Sequence, residues 1–149
     1  MISASSSVDT LETEPGSSAR PRDVAPSGGR VLVAEDDAAL RELLAELLTN
    51  AGHKVVSVPN GAQALIALQN PDAFDVVLTD LMMPGVGGEG VLAGARDRAP
   101  NVPVIVMTAF GGTEVEERVR RFGAAAYFDK PFRLENLVAA IRLIGRRAG

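Results

Sequence analysis

The chain of 149 residues contains no cysteine, which excludes disulfides, thiol catalysis and thiolate-bound metals. Aromatic residues make up only 4%, with no tryptophan and a single tyrosine, so the core must be built from Val, Leu, Ile and Ala. No apolar run approaches the roughly 20 residues that a membrane span requires. The start lacks a basic region followed by an apolar stretch, which argues against a secretory signal. The net charge of −4 gives no sequence-independent pull toward nucleic acid. These absences suggest a cytoplasmic protein with no membrane partner and no direct nucleic-acid partner. What is present is a hydrophobic content of 46%, enough for one packed domain.

Residues 1–29 are rich in Ser, Pro, Gly and Thr, with few large apolar groups. Such a segment cannot bury enough surface to offset its ordering entropy. The reading is a disordered N-terminal tail over 1–29 and a folded domain over 30–149. From Arg30 onward, short apolar runs alternate with helical spacing. Strands are predicted over 30–34, 54–58, 74–79, 102–107 and 125–128. Leu40, Leu43, Leu44, Leu47 and Leu48 mark a helix over 38–50, which Gly52 stops. Asn60 caps a second helix that carries Ala64, Leu65 and Leu68 and ends before Pro71. A third helix covers 88–98. Val115, Val119 and Phe122 mark one face of a fourth, whose exposed side offers Glu114–Arg118, Glu116–Arg120 and Glu117–Arg121 at i, i+4. Leu134, Leu137, Val138, Ile141 and Ile144 mark a fifth, with Arg142, Arg146 and Arg147 near its C-terminal dipole.

Strands apolar on both faces, alternating with helices, define an α/β fold with a parallel sheet covered on both sides. Five units are too few for an eightfold barrel. A doubly wound, five-stranded sheet in the flavodoxin-like order 2-1-3-4-5 follows. In such sheets ligands bind beyond the strand C-termini. There the chain places Glu35, Asp36 and Asp37 after the first strand and Asp80 after the third. Thr108 follows the fourth, and Asp129 and Lys130 the fifth. Asp80 alone is consistent with a metal ligand, a base or a nucleophile. Its neighbours narrow the choice. Crowded carboxylates repel unless a cation is present. Oxygen-only donors suit a hard cation such as Mg²⁺, which leaves room for phosphate. An Asp nucleophile beside Mg²⁺ and a lysine is the equipment for forming an aspartyl phosphate.

Four segments in order resemble the receiver domain of two-component response regulators over about residues 30–147. They are Val31-Leu32-Val33-Ala34-Glu35-Asp36-Asp37, Asp80-Leu81-Met82-Met83-Pro84-Gly85, Val106-Met107-Thr108-Ala109 and Tyr127-Phe128-Asp129-Lys130-Pro131-Phe132. The resemblance implies that Asp80 accepts a phosphoryl group from a histidine kinase or phosphotransfer protein. Asp36 would be a direct Mg²⁺ ligand, Glu35 an acid acting through water, and Met82 a ligand through its backbone carbonyl. Lys130 would contact a phosphoryl oxygen, and the bond before Pro131 would be cis. Thr108 would turn toward the phosphoryl group and Tyr127 would move inward behind it. That movement would change the face formed by the fourth helix, fifth strand and fifth helix, which binds an unknown downstream protein target or a second copy in a dimer. Glu35 stands where Asp is commoner in the family. Met82 and Phe110, both apolar, occupy the positions that tune dephosphorylation.

The resemblance thus implies a phosphorylation-dependent switch with self-phosphorylation and autodephosphorylation chemistry but no enzymatic turnover. With no output domain after the fifth helix, the expectation is a stand-alone receiver, and the alternative is a fragment of a larger transcriptional regulator or hybrid kinase. A phosphoserine-type hydrolase would place Asp-x-Asp after the first strand, which this chain does not. Asp37 is assigned to helix capping. His53, the single histidine, is expected to be an exposed strand-start residue.

Overall fold

The computed structural model describes residues 29–148, with side chains through residue 145. The tail expected over 1–29 therefore lies outside the described residues except for Gly29, as do the side chains of Arg146 and Arg147. The elements run β1 (Arg30–Ala34), α1 (Ala38–Asn50), β2 (Lys54–Val58), α2 (Gly61–Ala67), a 3-10 turn (Pro71–Ala73), β3 (Val76–Asp80), α3 (Gly88–Arg98), β4 (Val104–Thr108), α4 (Thr113–Arg121), β5 (Ala126–Asp129) and α5 (Leu134–Ala148). The five strands are parallel in the order β2-β1-β3-β4-β5, as the alternation of strands and helices predicts.

Alternate residues of each strand point to opposite faces, and the sheet sorts its apolar side chains accordingly. Leu32, Val77 and Val106 pack with Leu68, Val91, Leu92 and Val119 from α2 to α4 and their ends. Val31, Val33, Leu78, Ile105 and Met107 pack with Leu44, Leu48, Leu137 and Ile141 from α1 and α5. Each fully buried aliphatic side chain contributes about 1.5–3 kcal/mol, so this aromatic-poor core suffices by number rather than by bulk. The caps are the expected ones. Asp37 accepts the N–H groups of Ala39 and Leu40 at 2.9 and 3.2 Å. Asn60 accepts that of Gln63 at 2.8 Å. Gly52, with φ of 101°, turns the chain out of α1.

Several expectations need correction. β3 begins at Val76, two residues later than the apolar run suggests, because Asp75 is engaged with the start of β1. β4 and β5 likewise begin and end slightly later than predicted, at Val104–Thr108 and Ala126–Asp129. β2 is an edge strand rather than one buried on both faces, and Val56 is 43% exposed. His53 is buried, not exposed: the turn at Gly52 folds it back, and its N–H donates to the Leu48 carbonyl at 3.0 Å. Phe122 lies just past the last turn of α4 as its C-cap and is exposed, whereas Val119 is fully buried. Of the three surface pairs, Glu116–Arg120 forms at 3.0 Å. Arg118 instead crosses to Glu89 on α3 at 2.6 Å. Among the described residues Glu117 and Arg121 form no ion pair.

Candidate functional site

The strand register brings the rim residues into step. Ala34 on β1 pairs with Thr79 on β3, so Glu35 and Asp80, each one residue further, end side by side. Asp80 pairs with Met107 on β4, and Thr108 pairs with Asp129 on β5. Backbone bonds continue the alignment past the strands: Leu81 N–H to the Met107 carbonyl and Lys130 N–H to the Thr108 carbonyl, both 2.8 Å. The helix after Asp80 is packed tightly beneath it. A Cβ at Gly88 would lie 2.7 Å from the Asp80 carbonyl oxygen, so a side chain there would push α3 off the loop that follows Asp80.

Lys130 is the hub of the site. Its Nζ donates to Glu35 Oε1 at 2.9 Å and to Asp80 Oδ2 at 3.2 Å. The peptide bond between Lys130 and Pro131 is cis. Asp80 Oδ1 also accepts the Met82 N–H at 3.3 Å, and Glu35 Oε2 accepts the Asp37 N–H at 3.0 Å. Glu35 and Asp80 are buried, while Asp36 and the Met82 side chain are exposed. Burial pushes the Glu35 carboxyl up from the ordinary range, with Asp80 adding to it, against the opposing pull of the Asp37 N–H and Lys130. Burial would lower Lys130, but its bonds and charge attraction to Glu35 and Asp80 outweigh this and raise it.

One carboxylate oxygen each from Glu35, Asp36 and Asp80 lies within 4.8 Å of the others. Three acids around one ammonium leave negative charge in excess, and all of these donors are oxygens. The set therefore fits a hard divalent cation. Thr108 is fully buried, and its Oγ1 accepts the Phe110 N–H at 3.0 Å, which leaves its own proton available to donate. The Tyr127 hydroxyl donates to Asp129 Oδ1 at 2.7 Å and accepts the Gly112 N–H at 3.2 Å. Burial and the Asp129 carboxylate raise the Tyr127 pKa. The structure thus gathers Glu35, Asp36, Asp80, Met82, Thr108 and Lys130 at the rim, with Tyr127 beside them on β5. The contact between Tyr127 and Asp129 was not anticipated, although i, i+2 spacing on a strand was the available signal.

A doubly wound sheet whose C-terminal rim joins an acidic cluster to a lysine and a buried threonine suits a divalent cation held beside an anionic group. The comparisons with known proteins agree. Residues 31–142 match the response regulator receiver domain, and the chain belongs to that family. It is 40% identical over 119 residues to the response regulator protein FleR of Pseudomonas aeruginosa, covering 80% of this chain and 24% of FleR. It is also 40% identical over 123 residues to the transcriptional regulatory protein TcrA of Mycobacterium tuberculosis, covering 81% of this chain and 47% of TcrA. The chain thus spans about a quarter to about half the length of these relatives. Among solved structures it is similar to a Francisella response regulator receiver domain, with a TM-score of 0.76 and 27% identity over 81% of this chain and 99% of that one. A receiver domain protein from Clostridium thermocellum gives a TM-score of 0.74 and 28% identity over 79% of this chain and 94% of that one.

Receiver domains of this family are signalling proteins of two-component systems, not classed as enzymes, that work with histidine kinases and downstream targets and bind Mg²⁺ at an acidic pocket. Among the described residues no helix is long and apolar enough to cross a membrane.

Proposed function

We propose that this chain is a cytoplasmic phosphorylation switch in which Asp80 is the phosphoacceptor. The donor is a phosphohistidine of a histidine kinase or phosphotransfer protein: the donor's N–P bond breaks as an O–P bond to the Asp80 carboxylate forms. Asp36 and Asp80, with the Met82 carbonyl, would hold Mg²⁺, and Glu35 would act on it through water. When bound, the metal offsets charge on the transferring group. Lys130 leaves its acid partners to hold a phosphoryl oxygen, and Thr108 donates its free proton to another. Tyr127 then moves inward behind Thr108 and remodels the α4–β5–α5 face, which binds a protein target, passes the signal on, or pairs with a second copy. The observation that carries this reading is the buried Asp80 carboxylate, bonded to Lys130 and set within the acidic cluster.

The test is incubation with Mg²⁺ and acetyl phosphate or beryllofluoride, read by intact mass and by Tyr127 fluorescence, with Asp80→Asn alongside. An adduct dependent on Asp80 is expected, and its absence would remove the reading. Met82 and Phe110 stand exposed beside the site, 56% and 73% accessible, where their apolar side chains can lie in the path of attacking water. A phosphoryl lifetime of minutes or longer is expected, and a half-life of a few seconds would contradict it. The length of the curated relatives favours a second reading of the same chemistry, in which this receiver serves a larger transcriptional regulator or hybrid kinase. The size of the endogenous protein on an immunoblot distinguishes the two.

A further inference from the structure

The loop from β4 to α4 is fastened at each step. Phe110 bonds the Thr108 hydroxyl, and Gly112 bonds the Tyr127 hydroxyl. Between them Gly111 lies so close to the Tyr127 hydroxyl and Asp129 Oδ1 that a Cβ there would force these side-chain ends to shift. The Tyr127 hydroxyl is itself held by the Asp129 carboxylate at 2.7 Å. Asp129 directly precedes Lys130, whose ammonium rests on Asp80. One phenol therefore joins the start of α4 to the strand end that adjoins the acidic cluster.

We propose that Asp129 is a positioning residue of the switch, whose carboxylate latches the Tyr127 hydroxyl at the rim and so holds the first turn of α4 in its resting place. The proposal rests on the reading of Tyr127 as the residue that moves inward. An ionised acceptor makes a stronger hydrogen bond than a neutral one. This bond exists only while the phenol stays at the rim, and a bond made in one of two arrangements biases the protein toward that arrangement. Inward movement forfeits the bond, so Asp129 opposes activation until a phosphoryl group draws Thr108 and Lys130 to itself. Because the bond is at the surface, its effect is modest, about fivefold in the affinity of an activating ligand.

The experiment uses the full chain with Mg²⁺. It follows the Gly112 amide by ¹⁵N NMR and titrates beryllofluoride into wild type, Asp129→Ala, Asp129→Asn and Gly111→Ala. In ligand-free Asp129→Ala the Gly112 amide is expected to shift toward its beryllofluoride-bound position. Beryllofluoride affinity is expected to rise about fivefold, with Mg²⁺ affinity unchanged. Gly111→Ala displaces the latch by crowding it, with the acid still in the chain, and should move both readouts the same way. Asp129→Asn keeps an acceptor oxygen and should fall between. A merely structural role would lower the melting temperature and leave both readouts at wild-type values, which would overturn the proposal, as would weaker binding. If wild type itself fails to bind beryllofluoride, the phosphoacceptor reading falls. The latch is then judged on the ligand-free Gly112 amide, and an unmoved amide in Asp129→Ala and Gly111→Ala sinks it too.

Discussion

At the N-terminal end of the sheet, the Asp75 carboxylate accepts the Arg30 backbone N–H at 2.7 Å and meets its guanidinium at 3.2 and 3.3 Å. At the C-terminal end, Glu35 and Asp80 share the single ammonium of Lys130, with the Asp36 carboxylate close beside them. The same chemical groups end in opposite states. The Arg30 bonds hold the Asp75 carboxyl below its ordinary range, whereas burial drives Glu35 above it. One end is charge-balanced and ties β1 to β3. The other carries excess negative charge that an added divalent cation would relieve. A structural ion pair and a functional acid cluster are therefore told apart by their balance, not by their composition.

Asp80→Asn should sharpen this comparison most. It is expected to abolish the Mg²⁺-dependent beryllofluoride adduct seen by mass, while Asp75→Asn leaves the adduct intact. Mg²⁺ itself comes next. At a hundredfold over its dissociation constant it should stabilise the fold by about 2.7 kcal/mol, seen as a higher melting temperature. Asp36→Asn should lose that response yet be no less stable than wild type without metal, because it removes one of the crowded acids.

Asp75→Asn should behave in the opposite sense and cost about 1 kcal/mol at neutral pH by urea denaturation, allowing for the partial exposure of the pair. Since the folded-state Asp75 pKa is depressed, its contribution is fully present above about pH 4 and fades as pH falls further through the folded value. The difference between Asp75→Asn and wild type should therefore shrink in acid, and a difference that grows there would break the comparison. Smallest of all, Glu116→Gln on the exposed face of α4 should cost less than about 0.5 kcal/mol.

The strand order and the rim residues were legible because both follow from local facts: apolar runs of strand length, helical leucine spacing, and acids that close the runs. Thr108 and Lys130 needed only the strand order to become neighbours of Asp80. What was illegible depends on contacts between segments distant in sequence. Asp75 reads as part of an apolar run until Arg30 engages it. His53 reads as a polar strand start until Gly52 folds it over the end of α1. Arg118 has an acid four residues before it, yet Glu89 on the neighbouring helix holds it. Phe122 keeps helical spacing but falls one residue beyond the helix that would have buried it.

Lys130 meets Glu35 across 95 residues of chain and Asp80 across 50. Contacts of such separation close late, since the intervening chain must be ordered first. On a ribosome adding roughly 5–20 residues per second, the acids are made several seconds before the lysine they share. A partly made chain thus carries its negative cluster without the ammonium that organises it. If Lys130 serves as proposed, competence to receive a signal arrives only with the last strand, and an unfinished copy is silent by construction.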